Sequence, residues 1–469
     1  MSMDSTNRSL RPDRDPIVGP LFPCPMDKEA GVRQHGRGQD RLPLANAMAL
    51  LVLCSQGLVH AQDSAALDEE YSFSSNPEQV AELQLLLKSG KLTGYERLIG
   101  KIGDGAIPIV LQALLAHDVT ERAERRQVIQ GLRLVRKSAL TQALEAWLTP
   151  LHGLEFRFTV LEVLAEIGAG KDLSLAFRAA TPPRPEFNVD PGLCVALSET
   201  ISGILVRDRN GFKIVMASYP DVRVELQIPI INGVSTAGGD GALEVLAGIL
   251  SKDSDASTLI VTHIGRVADR MVGPPKAWIA EGVARGLDAV DLGLRRETIL
   301  TLGRIEDPAC VPKLVALLNA EEESLKSAAG WSLRRITALA FPSDARTWNS
   351  WLELEQQWWS GEASHALFCL HSDDEAVVAR AIEDISAHRL NRHELARELS
   401  LSLTHMGPGV QRAQIQALRG LSSELGIARL LEGLDSSEES VQVAAWRGLK
   451  EITRKDLPRD VASWQAALR

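Results

Sequence analysis

Few residues in this 469-residue chain are placed to move protons, attack a substrate or hold a metal. His393 and Glu394 form its one adjacent His-Glu pair, and they do not extend into the HExxH helix that would ligate zinc. There is no GxSxG elbow to present a serine, and no glycine-rich loop of the kind that cradles phosphate. Beyond residue 61 the cysteines are Cys194, Cys310 and Cys369, far apart and flanked by apolar residues. They read as buried thiols, with one disulfide plus one free thiol as the alternative. No CxxC or Cys/His spacing suits a structural zinc. These patterns call for no catalytic residue, no metal and no cofactor, and His393-Glu394 reads as a solvated helix face.

Three other patterns bear on binding. An Asp-x-x-x-Trp element occurs twice, as Asp344 to Trp348 and Asp460 to Trp464, each Asp standing two residues after a proline, Pro342 or Pro458. The structural reading is preferred: the Asp caps a helix N-terminus and the Trp on its first turn packs back over the preceding hairpin. Trp358 and Trp359 are adjacent, so on a helix they point about 100° apart and cannot share one core. One of them is thus a candidate exposed anchor for a partner, unless Ala366 to Cys369 cover both. Arg122, Arg125, Arg126, Arg133, Arg136 and Lys137 make one basic segment, read as a solvated helix face with anion binding as the alternative.

The elements that must carry these residues are helical. Apolar residues make up 45% and charged residues 24%, enough to bury a core, while aromatics are only 4%, which suits helices packed through Leu and Ala better than a β-sandwich. The net charge is −10, with acids and bases interleaved, so nucleic acid is not an expected partner.

Residues 1–41 are rich in Arg, Pro, Asp and Gly without apolar period and are expected to be a disordered leader, with Met26 a candidate true start. Residues 42–61 run from LPLANAMALLVLCSQGL to Val59-His60-Ala61, after Arg33, Arg37 and Arg41. That order of basic, apolar and small residues is a secretory signal, with cleavage expected after Ala61. An uncleaved anchor, or lipidation at Cys54, would be the only route to a membrane. An acidic linker follows over 62–76, and the fold starts with Asn76 as N-cap, Pro77 at the first helical position and Gln79 at the capping-box position.

Self-similarity governs the remainder. EEESLKSAAGWSLRRIT (321–337) matches SEESVQVAAWRGLKEIT (437–453) at an offset of 116, and the match extends without a gap from Arg296, Ile299 and Leu302 to Trp348. Within a block, Leu294, Leu302 and Ile305 recur as Leu325, Leu333 and Ile336, an offset of 31, with a second helix from Cys310 to Asn319 between them. Each unit is a helical hairpin that cannot bury its apolar stripe alone, so neighbours must stack. Residues 77–290 carry weaker hairpins separated by turns such as Pro182-Pro183, Gly238–Gly241 and Pro274-Pro275; 291–360 form block copy 1, and 361–469 hairpins that end in copy 2. Val222 to Asn232 stays ambiguous between helix and strand.

These units, RRETILTLGRIEDPACVPKLVALL (295–318) above all, resemble the HEAT-like repeats of the phycobilisome-lyase type and of exported bacterial proteins. The resemblance implies an all-α, right-handed α-solenoid of about ten hairpins, used as a scaffold. A periplasmic or secreted module is expected, binding a protein partner on a concave face formed by the second helices. The alternative is an accessory or lyase-like protein that assists modification of another protein. Helical-repeat hydroxylases hold two irons through several His-Glu pairs; a single pair departs from that pattern.

Overall fold

The computed structural model describes residues 76–468 apart from 91, 150, 151, 185, 252–256, 272 and 402–406. The chain divides into units Met1–Ser72 and Phe73–Arg469, and all the described elements belong to the second. The leader, the signal and the acidic linker up to residue 75 lie outside the described residues.

Every described element is helical. A lead-in helix α1 (Pro77–Ser89) precedes the hairpins α2 (Tyr95–Ile102) with α3 (Ala106–Leu115), α4 (Arg122–Gly131) with α5 (Lys137–Ala146), and α6 (Leu154–Ile167) with α7 (Leu173–Ala180). Next come α8 (Pro191–Arg207) with α9 (Gly211–Ser218), α10 (Val224–Ala237) with α11 (Gly239–Leu250), and α12 (Ser257–Ala268) with α13 (Ala277–Ala284). Copy 1 of the duplicated block is α14 (Leu292–Ile305) with α15 (Val311–Leu317) and α16 (Glu323–Thr337) with α17 (Ala345–Gly361). A short α18 (Ala363–Cys369) leads to α19 (Glu375–Ala387) with α20 (Arg392–Leu401), α21 (Pro408–Leu421) with α22 (Ile427–Leu434), and α23 (Glu439–Thr453) with α24 (Val461–Leu468). The protein is an all-α solenoid.

The ambiguous stretch is helical: Val222 to Asn232 falls largely in α10, with Pro229 buried inside it. Pro229 has no N–H to give the Glu225 carbonyl one turn back, and the Cys194 thiol of α8 points to that carbonyl at 4.0 Å. At the start of the fold Asn76 does cap α1, but through the Glu78 N–H at 3.1 Å, and Gln79 contributes no capping box. The three cysteines are free. Cys310 is buried, its thiol pushed up to about 12 by burial and by Asp307, whereas Cys194 and Cys369 are half-buried.

First helices lie directly on one another, α6 on α8, α8 on α10, α14 on α16 and α21 on α23, while second helices are mostly shorter and touch lightly. Small residues permit this. A Cβ on Gly203 would come within 2.5 Å of the Ala165 carbonyl, and one on Gly233 within 2.8 Å of the Ser198 carbonyl. Hydroxyls stitch the same layer, Thr200 donating to Leu161 O at 2.9 Å and Ser332 to Ile299 O at 2.8 Å. Arginines then cap exposed carbonyl ends, as where Arg207 donates to Leu164 O, Ala165 O and Gly168 O at the end of α6. Arg335 of α16 even reaches Asp269, just beyond α12, at 2.6 Å, passing the intervening α14. The first helices are therefore the more closely packed layer.

The duplication is visible in the backbone. Glu306 and Ser422, and likewise Ala338 and Arg454, end equivalent helices in the left-handed region, with φ of 58°, 50°, 57° and 56°. The regular alternation breaks once. The long α17 and the short α18 interrupt the succession of first helices, and the hydrophobic core divides there: Leu83 to Leu352 belong to one cluster, Trp358 to Trp464 to another.

One buried titratable group sets a pH dependence. His263 on α12 is only 4% exposed, and burial, then the nearby charges of Arg266 and Arg270, lower its pKa to about 4. The unfolded chain takes up that proton near pH 6.5. Between these values the unfolded state binds more protons, so stability is lost as pH falls through this window. Denaturant titrations should show about 1–2 kcal/mol lost between pH 7 and pH 5, and His263→Leu should abolish that loss. An unchanged slope in the variant would assign the effect elsewhere.

Candidate functional site

The constellation that most resembles catalytic machinery sits at the break between the two cores. Glu306 follows α14, Arg392 and His393 open α20, and Ser423 follows α21. His393 Nε2 lies 2.7 Å from Glu306 Oε2, and its Nδ1 lies 2.9 Å from Ser423 Oγ. With the carboxylate accepting from Nε2, the other ring nitrogen accepts from the serine hydroxyl, the order of a hydroxyl–imidazole–carboxylate relay. Ser423, however, is wholly buried and also accepts from the Leu425 N–H, and Arg392 is only 5% exposed. No substrate carbonyl can approach such a hydroxyl.

What the cluster does is join helix ends. The Arg392 guanidinium donates to Ile336 O at 2.8 Å, Leu421 O at 3.2 Å, Arg335 O at 3.3 Å, Ser422 O and the Glu306 carboxylate. Ile336 belongs to the first core and Leu421 to the second. Burial drives the Glu306 pKa up, but the His393 hydrogen bond and the charges of Arg392, His393 and Arg335 outweigh it, and the carboxyl sits below its usual range. Glycine would be the cheaper residue at the left-handed position of Glu306; a carboxylate there is what closes the network. His393 is thus not on a solvated face, as its sequence neighbourhood implied. Only Glu394 is exposed.

The tryptophan pair belongs to the same joint. Trp358 is 4% exposed, stacks on His388 with centroids 3.8 Å apart, and donates to Asp384 at 3.2 Å. Glu355, one turn earlier on α17, accepts from the Arg389 and Leu390 N–H groups at 3.2 and 3.1 Å. Trp359 is half-buried against the second core. Trp358 is therefore corrected from candidate anchor to core residue, and Trp359 offers only an edge. The repeated Asp-x-x-x-Trp elements are helix starts: Asp344 accepts from Thr347 N at 2.9 Å, and Asp460 from Ser463 N at 2.7 Å. The buried indoles of Trp348 and Trp464 donate to the carbonyls of Pro342 and Pro458 at 2.9 and 2.8 Å.

The basic segment is largely neutralised. Arg125 pairs with Glu162, Arg126 with Glu166, Arg136 with Asp104 and Lys137 with Asp172. Anion binding there finds no support, and Arg122 is left with no ion pair or hydrogen bond among the described residues.

An open surface lies on the first-helix layer beside it. Leu154, Phe158, Val195, Val224 and Ile228 are exposed on the N-terminal halves of α6, α8 and α10, at equivalent places on successive first helices. Next to this row a groove of about 440 Å³ crosses α4, α6 and α8. Buried Ile129 and Leu161 make its floor with Ala196, Phe158 lines it, and exposed Arg122 and Glu199 stand at its rim. Each of these apolar residues alone reads as ordinary surface, and only the stacking register brings them into one row.

Comparisons with known proteins give only loose structural matches. No family model and no curated protein matches it. Solved structures do match. An engineered protein aligns with 80% of this chain and 99% of its own length, at 16% identity and a TM-score of 0.28. Human deoxyhypusine hydroxylase, solved with glycerol, aligns with 52% of this chain and 97% of its own, at 14% identity and a TM-score of 0.23. The karyopherin Kap121p, bound to the extreme C-terminus of the phosphatase Cdc14p, aligns with 88% of this chain, which spans 53% of that one, at 11% identity and a TM-score of 0.28. Superpositions this loose identify no relative, and the solenoid is established by the chain's own repeats.

Proposed function

We propose that this protein is a non-enzymatic HEAT-like repeat scaffold, exported from the cytoplasm, that binds a protein partner on the exposed face of its first helices. The observation that carries this reading is the row of exposed apolar side chains on α6, α8 and α10 beside an open groove. Soluble proteins rarely leave such residues adjacent without an occupant, whereas the relay-like cluster of Glu306, His393 and Ser423 is sealed from substrate. The export reading is supported by the residues at 42–61. The test is affinity capture of the full chain, made with its own leader in its own cells, with intact-mass analysis. A chain starting at Gln62 with a partner at near-unit stoichiometry is expected, and Phe158→Asp with Ile228→Asp should release that partner. A chain that keeps its leader and is recovered alone would refute both export and partner binding.

A further inference from the structure

We infer that the joint between α17 and α18 is a latched hinge: the arm that ends in α17 and the arm that begins with α18 turn as rigid bodies about Gly361 and Glu362, and the hydrogen bonds of Arg392 and Glu355 hold the closed form. This stands apart from the partner-binding reading.

Among the described residues the stacking of first helices is interrupted here. α14 packs on α16 and α19 on α21, but α16 and α19, next in the succession, do not pack on one another in the same way. The buried apolar side chains on the two sides form separate clusters. α17 goes with the first arm, since Trp348 and Leu352 seat it in the first core and Phe341 and Trp351 meet Trp348 edge-on. Beyond that seat Trp358 leans on His388, and Leu390 packs at the edge of the first core. The rest of what crosses is polar. Arg392 of the second arm donates to Ile336 O, Arg335 O and Glu306 of the first, and buried Glu355 accepts from the Arg389 and Leu390 N–H groups. Separating apolar helix faces exposes hydrocarbon that water does not compensate. Guanidinium, carboxylate, amide and carbonyl groups instead exchange one another for water at a small net cost per bond. The joint therefore opens at lower cost than the stacked helices on either side of it.

The chain supplies the pivot. α17 ends at Gly361 and α18 starts at Ala363, with Glu362 alone between them at φ −109°. Glycine weakens a helix relative to alanine, and no neighbour requires it here, because a Cβ on Gly361 would meet nothing within 4 Å. Backbone freedom is what the position gains from it.

Spin-label distance measurements on the full chain, with its cysteines replaced by alanine, test the hinge. Labels at exposed Arg296 and Gln416 span the joint, and labels at Arg296 and Ser327 stay within the first arm. The spanning distribution should be about twice as wide as the internal one. Arg392→Met should widen it further and Gly361→Ala should narrow it, each with the internal distance unchanged. That unchanged distance separates hinge motion from misfolding, and Gly361→Ala, which removes no contact, decides the matter even where Arg392→Met fails to fold. A spanning distribution as narrow as the internal one, or one that Gly361→Ala does not narrow, would overturn the inference.

Discussion

Arg392→Met should destabilise the protein by about 3–5 kcal/mol, the cost of removing one partner from a buried ion pair. The side chain is 5% exposed and supplies donors to four carbonyls and to Glu306. Its loss leaves those carbonyls without a donor and takes one of three partners from Glu306, which keeps Arg335 and His393. Arg392→Lys should recover only part, because an ammonium cannot present a planar fork to acceptors on separate helix ends. The double variant Arg392→Met with Glu306→Gln should be more stable than the sum of the single changes, since it also removes the carboxylate charge that Arg392 compensates. Denaturant unfolding of the four proteins gives the cycle. A loss below about 1 kcal/mol for Arg392→Met would mean that water already satisfies these groups, and that the two cores are held together by something else.

Trp464→Ala and Trp348→Ala should each cost about 3–5 kcal/mol, the range for truncating a fully buried indole, but in different parts of the molecule. Both rings are fully buried and each donates to a proline carbonyl. Trp348 belongs to the first core and Trp464 to the second. Solenoid stability is a sum of local and nearest-neighbour contributions, and long arrays lose all-or-none behaviour when one part weakens. Trp464→Ala should therefore split thermal unfolding, with α21 to α24 melting first and α6 to α16 near the original temperature. Trp348→Ala should lower the other transition. A single transition shifted equally by both would show that the break at α17 is no energetic boundary.

How much of this could be read from residues alone follows from what periodicity records. The 116-residue duplication and the 31-residue hairpin gave the solenoid and the N-cap role of Asp344 and Asp460, because repeated apolar stripes and capping residues are local signals. Asn76 was legible for the same reason. Val222 to Asn232 was not: Pro229 weakens a helix on its own, and the Cys194 thiol near the orphaned carbonyl comes from another hairpin. Neither was the joint. Glu306 and His393 are 87 positions apart, so nothing local marks them as partners, and His393 looked like a surface residue beside Glu394. Trp358 misled because adjacency on a helix says that two rings point apart, not that either meets water; here Asp384 of α19 and His388 just after it cover the first of them. The exposed row and its groove depend on the register in which the first helices stack. Close approaches at Gly203 and Gly233 belong to that stacking, contacts between hairpins that a hydropathy pattern does not contain.

On this proposal the partner sits on the first-helix layer, and hydrogen exchange on the captured complex against the free chain tests it directly. Added protection should fall on the N-terminal halves of α6, α8 and α10 and on the groove helix α4, leaving second helices such as α7, α9 and α11 unchanged. Protection confined to the second helices, or none along the stack despite a stoichiometric partner, would contradict it.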